Sequence, residues 1–164
     1  MKLTKFVGIV VSSLVFFSGA QALDLLIDEG SDPTSIHPFK GNMCIKKLTK
    51  LINDEGPDKI PLIMLTITNN SCGGQPVSMQ NIIEVSSIAK KFSIPFYIDA
   101  CRFAENAYFI QKREVEYKDV PIKDIVKELF SYTDGCTMSA KKDGIVNIGG
   151  FLCTNDKSVS EKNK

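Results

Sequence analysis

The sequence has little of three features that would point to particular functions: histidine, an excess of one charge, and paired cysteines. His37 is the single histidine, so a histidine-rich metal site is excluded. A Ser-His-Asp triad would have to use His37, which precedes Pro38 in a loop-like stretch. Twenty basic residues nearly balance nineteen acidic ones, so no charge excess indicates a nucleic-acid partner. An apolar content of 43% predicts an ordinary globular protein, and 164 residues predict one domain or part of one.

The cysteines also lack the spacing of a structural framework. There are five, an odd number, and none form a Cys-x-x-Cys pair. Each stands among apolar neighbours, at Cys44, Cys72, Cys101, Cys136 and Cys153. We expect small buried residues rather than disulfides or zinc ligands.

The first 22 residues have the composition of an export signal. Lys2 and Lys5 precede an apolar run at 6–17, and small residues follow, ending in Ala20-Gln21-Ala22. This pattern predicts a signal segment over 1–22, cleaved after Ala22, and a secreted or periplasmic protein. The run is too short to span a bilayer comfortably, so no membrane span is expected. The alternative is an N-terminal strand or helix of the folded domain.

Beyond residue 22, apolar runs and helical patterns alternate along the chain. Strands are predicted at 23–27, 61–68, 95–98, 135–138 and 145–153, and helices at 43–53, 78–92, 105–113 and 121–132. This order predicts an α/β domain over 23–156 with a mainly parallel sheet and helices on both faces. Residues 157–164 form a polar tail that we expect to fray.

Polar side chains follow three of these strands: Asn70 after the first long one, Asp99 and Arg102 after the second, Ser139 and Lys142 after the third. The carboxyl ends of parallel strands meet at one edge of a sheet, where ligands bind. Together the side chains suit pyridoxal phosphate. The Lys142 amine can form a Schiff base with its aldehyde, Ser139 can hydrogen-bond its phosphate, and Asp99 can pair with its pyridinium nitrogen.

The remaining polar groups fit the same cofactor, and each also has a purely structural interpretation. Arg102 and Asn70 could hydrogen-bond the phenolate oxygen of the ring, and Lys141 could favour the phosphate. Alternatively, Asp99 caps the following helix, Arg102 pairs with Glu105, and Asn70 holds a turn.

Several longer stretches carry a family resemblance. They are FKGN at 39–42, Asn70 with GGQPVS at 73–78, DACRFAENAYFI at 99–110, and the segment 134–153. On these stretches residues 23–156 resemble the central part of the tryptophanase and tyrosine phenol-lyase family, the β-eliminating lyases.

The resemblance implies a fold, a reaction and a set of roles. The fold is that of the large domain of a fold-type I pyridoxal phosphate enzyme, assembled as a homo-oligomer. The reaction is carbon–carbon lysis of tryptophan or tyrosine to indole or phenol, pyruvate and ammonia. The resemblance implies that Lys142 is the Schiff-base lysine and that Asp99 contacts the pyridine nitrogen. It implies that Asn70 and Arg102 contact the phenolate oxygen and that Ser139 contacts the phosphate. It also implies that the backbone carbonyl of Asn147 binds potassium.

The sequence also departs from the family. Cys101 stands where members often carry a hydroxyl residue. Members are considerably longer, with further phosphate ligands before this region and a substrate-binding arginine after it. They are cytoplasmic, which is the alternative to export. The first hypothesis is therefore a lyase represented by its cofactor-binding core. The others are a non-catalytic product of a truncated gene and a small secreted binding module.

Overall fold

The structure is a computed structural model that describes residues 14–15, 25–30, 32–69 and 73–162. Its strands are β1 (Leu14–Val15), β2 (Ile63–Thr66), β3 (Phe96–Asp99), β4 (Gly135–Ser139) and β5 (Gly150–Thr154). Its α-helices are α1 (Ile45–Glu55), α2 (Met79–Lys91), α3 (Phe103–Arg113), α4 (Ile122–Ser131) and α5 (Lys157–Lys162).

The five strands form one sheet in the order β1-β2-β3-β4-β5. β2, β3 and β4 run parallel, and the outer strands β1 and β5 are antiparallel to their neighbours. The register aligns Thr66 with Asp99 and Asp99 with Thr137. The predicted α/β class with parallel central strands is confirmed.

Helices α1 to α4 pack on one face of this sheet. The connections β2–α2–β3 and β3–α3–α4–β4 step across the sheet in the same direction, and right-handed crossovers then place their helices on the same face. One apolar cluster joins side chains of all four helices to alternate strand residues such as Leu65, Phe96 and Ile98. Helices were predicted on both faces of the sheet. Because side chains alternate along a strand, the opposite face carries Thr66, Tyr97 and Asp99 in the described residues instead.

The predicted helix boundaries are close to the observed ones because the capping residues are local signals. Ser78 accepts a hydrogen bond from Asn81 N at 3.1 Å and starts α2. Gly56 ends α1 at φ +89°, a conformation that favours glycine. Of the predicted strand at 23–27, the described residues 25–27 form a single bridge, between Leu26 and Met43.

The last strand and the tail differ from expectation. The strand predicted at 145–153 begins only at Gly150, because Ile145 (φ +52°) and Gly149 (φ +126°) have left-handed backbones that break a strand. The tail expected to fray contains α5, which begins after Asp156, whose Oδ1 accepts from Ser158 N at 2.7 Å.

Of the N-terminal segment, the structure describes only the backbone of β1. Leu14 pairs with Met64 and Val15 with Ile63 at the edge of the sheet. This pairing matches the alternative interpretation, an N-terminal strand of the folded domain. Most of the predicted signal segment lies outside the described residues. None of the helices in the described part of the chain is long and apolar enough to cross a membrane.

The cysteines in the described ranges are all free, as expected. Cys136 is buried in the apolar cluster. The prediction of burial is wrong for Cys153, which is exposed because β5 lies at the edge of the sheet. Cys72 lies outside the described residues.

Candidate functional site

Two loops leave the sheet side by side at the carboxyl ends of β3 and β4. Ala100 N donates to Thr137 O at 2.8 Å, and Asp143 N donates to Cys101 O at 3.3 Å. The parallel register therefore brings the segment that starts at Asp99 next to the one that starts at Ser139, as predicted from their places after the strands.

Asp99 is a nearly buried carboxylate with no cationic partner in the described part of the chain. Its exposed fraction is 7%. Among the described residues, no lysine, arginine or histidine nitrogen lies within ion-pair distance of it. A buried, unpaired carboxylate is costly, so this position is suited to a ligand that brings a positive N–H. The site therefore fits a protonated pyridine ring.

Cys101 connects Asp99 to the neighbouring strand. Its thiol donates to Asp99 Oδ1 at 2.9 Å, and its sulfur accepts from Ser139 N at 3.3 Å. Burial and the hydrogen bond to Asp99 raise the pKa of the Cys101 thiol, against smaller opposing effects of the Ser139 N–H and the Lys142 charge. The thiol is thus protonated at neutral pH and able to donate.

Lys142 lies in a tight turn immediately beyond β4. Lys142 N donates to Ser139 O at 3.4 Å, and Ile145 N donates to Lys142 O at 3.0 Å. Lys142 is half-buried, whereas the adjacent Lys141 is exposed. Within the described ranges, no oxygen accepts a hydrogen bond from Lys142 Nζ, in contrast to Lys47, which is ion-paired with Asp28. The amine is available for a carbonyl group.

Asp143 fixes this turn against the start of α3. Its Oδ2 accepts from Ala104 N at 2.7 Å. Arg102 stands at the N-cap of α3 and makes no side-chain cap of its own. Asp143 therefore caps the helix from a position next to Lys142. The alternative role proposed for Asp99, capping α3, is filled by Asp143 instead.

Arg102 contacts Thr68 in the loop that follows β2, and it also pairs with Glu105 on the helix surface. Its Nη1 donates to Thr68 O at 3.3 Å, and its Nε lies 3.6 Å from Glu105 Oε2. The pair with Glu105 is partly exposed and contributes little stability, about 0–1 kcal/mol. The contact with Thr68 brings Arg102 to the loop that contains Asn70, although residues 70–72 lie outside the described part of the chain.

Fully buried Asn106 supports that loop from α3. Its Oδ1 accepts from Val77 N at 2.9 Å and from Thr68 Oγ1 at 3.2 Å, and its Nδ2 donates to Val77 O at 2.9 Å. One side chain thus ties both ends of the 68–77 loop to the helix that follows Arg102. An asparagine in the middle of a helical pattern was the available sequence signal, and sequence reasoning missed it.

Asn147, implied as a potassium ligand, lies exposed in the segment between Lys142 and β5. The described residues contain no group of three or more histidine, cysteine or acidic side chains that could hold a metal ion. Potassium binding through a backbone carbonyl at Asn147 stays a prediction.

The structure thus brings together Asp99, Ser139 and Lys142, with Arg102 beside them. Lys141 is exposed and lies outside this group. Sequence reasoning missed Asp143, for which the signal was indirect: no Ser, Thr, Asp or Asn at 100–102 can cap α3, so the cap has to come from elsewhere.

Comparison with known proteins identifies the family of this chain. The family model described as "Beta-eliminating lyase" matches residues 11–164, beginning inside the predicted signal segment. Tyrosine phenol-lyase from Pasteurella multocida is 56% identical over 145 residues, which cover 88% of this chain and 32% of that protein. Tryptophanase from Salinibacter ruber is 52% identical over 145 residues, covering 88% of this chain and 31% of that protein. The chain spans about a third of the length of the curated relatives it matches. It belongs to the β-eliminating lyase family.

Proposed function

We propose that this chain is the cofactor-binding core of a pyridoxal phosphate-dependent carbon–carbon lyase acting on tyrosine or tryptophan. The products would be phenol or indole, with pyruvate and ammonia. The observation that carries the proposal is the grouping, at adjacent parallel strand ends, of a hydroxyl with a buried carboxylate and a lysine that have no ion-pair partner among the described residues. Membership of a family whose relatives include a tyrosine phenol-lyase and a tryptophanase supports it.

Each residue has a defined task in this proposal. Asp99 holds a proton on the pyridine nitrogen, because the described residues supply no other cation to balance the nearly buried carboxylate. Ser139 donates its hydroxyl to the phosphate. Arg102 lies beside the 68–77 loop, from which Asn70 would join it at the phenolate oxygen.

Lys142 is the covalent attachment point and the group that can carry a proton to and from the substrate Cα. When bound, pyridoxal phosphate supplies the electron sink that stabilises negative charge at that carbon. The chain supplies orientation: the turn at Ser139–Ile145 and the Asp143 hydrogen bonds hold the Lys142 backbone against the connection from β3 to α3. Positioning of this kind is a large contributor to catalysis.

The test is covalent labelling. The purified chain is mixed with pyridoxal phosphate, reduced with borohydride and mapped by mass spectrometry. We expect the pyridoxyl label on Lys142, and the Lys142→Arg variant should lose it. Lys141→Arg is the matched control and should keep it. Label spread over exposed lysines, with no preference for Lys142, would contradict the proposal.

A second candidate is a non-catalytic truncated fragment with no activity of its own. The observation that favours it is that both arginines of the chain already have partners: Arg102 contacts Thr68 O and Glu105, and Arg113 donates to Pro38 O and stacks on Phe109. Labelling of Lys142 without release of pyruvate supports this candidate. Assembly into a homo-oligomer, potassium at Asn147 and a small aromatic amino acid as substrate belong to the lyase proposal alone.

We also propose that residues 1–22 direct export, on the pattern of lysines, apolar run and Ala-x-Ala end. The pairing of β1 with β2 and the family match from residue 11 favour instead a cytoplasmic chain that keeps this segment. N-terminal sequencing of the native protein decides between them. A terminus at Leu23 supports export, and an intact Met1 in the cytoplasm contradicts it.

A further inference from the structure

The Cys101 side chain contacts both strands of the proposed site. It stands two residues after Asp99, at the point where the chain turns from β3 into α3. Its sulfur lies 2.9 Å from the Asp99 carboxylate and 3.3 Å from the Ser139 backbone nitrogen. Its backbone carbonyl accepts from Asp143 N at 3.3 Å. The side chain and backbone of one residue therefore connect the carboxylate, the strand end and the lysine turn.

The Cys101 thiol is the donor in one of its two hydrogen bonds and the acceptor in the other. As a donor, the S–H stabilises ionised Asp99 and fixes which carboxylate oxygen remains open. As an acceptor, the sulfur satisfies the Ser139 N–H and holds the last residue of β4 beside β3. A hydroxyl could make the same two contacts, whereas an alanine could make neither.

Among the described residues, Asp99 receives no other hydrogen bond from a side chain. The Cys101 thiol is therefore the only side-chain group there that determines how the carboxylate is oriented. The raised pKa of the thiol is consistent with this role, since it keeps the donor protonated at neutral pH.

We propose that Cys101 is a positioning residue, which orients the Asp99 carboxylate and holds the Ser139 strand end so that Lys142 is presented to the cofactor. It touches neither the reacting atoms nor the substrate, and acts through Asp99 and the Lys142 turn. The proposal rests on the proposed function, because its consequence is the selective reaction of Lys142 with pyridoxal phosphate.

The first experiment needs no cofactor. Iodoacetamide alkylation of the purified chain is followed by mass spectrometry at Cys101 and at exposed Cys153. We expect Cys101 to react several-fold more slowly than Cys153 at neutral pH. Asp99→Asn should accelerate Cys101 several-fold, because loss of the negative charge favours the thiolate. Glu105→Gln, a nearby loss of charge without contact to the thiol, should leave the rate within twofold. Equal rates in the Asp99→Asn and parent chains would overturn the proposal.

The second experiment measures positioning. The ratio of borohydride-fixed pyridoxyl label on Lys142 to that on Lys141 is compared in the parent chain, Cys101→Ser, Cys101→Ala and the control Cys153→Ala. We expect Cys101→Ser and the control to keep the ratio, and Cys101→Ala to lower it several-fold. A merely structural role would lower the unfolding midpoint of Cys101→Ala and leave its ratio unchanged, which would contradict the proposal.

The two experiments separate the inference from the proposed function. If the parent chain shows no preference for Lys142, the proposed function fails. The alkylation rates then decide alone whether Cys101 is coupled to Asp99. If Cys101→Ala does not fold, rescue of both stability and label ratio by Cys101→Ser supports the proposal, and a serine variant that folds with an altered ratio contradicts it.

Discussion

Asp143 is the residue that joins the Lys142 turn to a rigid element. Replacing it by alanine removes the acceptor for Ala104 N and leaves the α3 N-terminus uncapped. We expect Asp143→Ala to lower the free energy of unfolding by about 1 kcal/mol. Asp143→Asn keeps an acceptor and should lose less. Urea denaturation followed by circular dichroism measures both.

Asp119→Ala is the control for this substitution, because Asp119 is an exposed aspartate outside the site. It should change the unfolding free energy by no more than about 0.5 kcal/mol. If Asp143→Ala were as stable as this control, the cap would contribute nothing, and the position of the lysine turn would need another explanation.

Ile145 is held in a left-handed backbone that β-branched residues rarely adopt. Its φ is +52° and its side chain is 90% exposed, so it gains little from burial in the chain as described. This conformation costs about 1–2 kcal/mol. We expect Ile145→Gly to raise the free energy of unfolding by up to about 1 kcal/mol, after the greater chain entropy of glycine is subtracted.

The neighbouring Ile148 provides a matched comparison. It is 89% exposed, but its φ is not positive. Ile148→Gly should therefore destabilise slightly through chain entropy alone. Thermal or urea unfolding measures the change in unfolding free energy of the two variants. The changes should have opposite signs if the strain at Ile145 is real, and changes of equal sign contradict it.

At the scale of elements, Glu114 joins the end of α3 to the start of α2. Its Oε1 accepts from Met79 N at 2.7 Å. Burial raises the pKa of Glu114, with smaller contributions from Glu116 and Glu128, against the opposing Met79 hydrogen bond. Because the folded pKa lies above the unfolded value, the folded state binds more protons in that interval. Stability from this group therefore falls as the pH rises from the unfolded pKa of an ordinary glutamate through the raised folded value.

Glu114→Gln keeps a carbonyl acceptor and removes the ionisation. We expect the variant to lose less stability than the parent chain when the pH is raised from acid to neutral. Urea midpoints at a series of pH values measure this. Glu55→Gln, an exposed glutamate at the end of α1, is the control and should follow the parent. Parallel curves for Glu114→Gln and the parent would show that the ionisation has no effect.

The elements that the sequence predicted well have signals within a few neighbouring residues. Ser78 and Gly56 mark helix ends through their own hydrogen bonding and backbone freedom, and the apolar runs of β2 and β3 reflect burial. The order of polar residues after the strands also predicted that the segments starting at Asp99 and Ser139 lie side by side, as the parallel register shows. The contacts that were not predicted join residues far apart in the sequence. The Asp143 cap joins residues 39 positions apart, and the hydrogen bond between Cys101 and Ser139 joins residues 38 positions apart. The β5 boundary was missed because a positive φ at Ile145 has no signal in an apolar run.

At the scale of the whole molecule, both arginines of the chain are already engaged. Arg102 contacts Thr68 O and Glu105, and Arg113 donates to Pro38 O while its guanidinium stacks 4.3 Å from the Phe109 ring centroid. Neither is free to hold a substrate carboxylate. We expect the purified chain to release no pyruvate above the blank from tyrosine or tryptophan, even with excess pyridoxal phosphate and potassium. A coupled lactate dehydrogenase assay measures this, and turnover would show that another group binds the carboxylate.

Each strand of the sheet pairs with the one that precedes it in the chain. A sheet with this order can grow in the direction of protein synthesis, one strand at a time, without waiting for a later segment to be inserted between earlier ones. The Asp99 loop forms first and has to wait for α3, α4 and β4 before Ser139 and Lys142 reach it. Long crossovers of this kind are slow steps in folding. In kinetic terms, Lys142, the proposed attachment point for the cofactor, is the last part of the site to arrive, and its reactivity should appear only after most of the helical signal has formed.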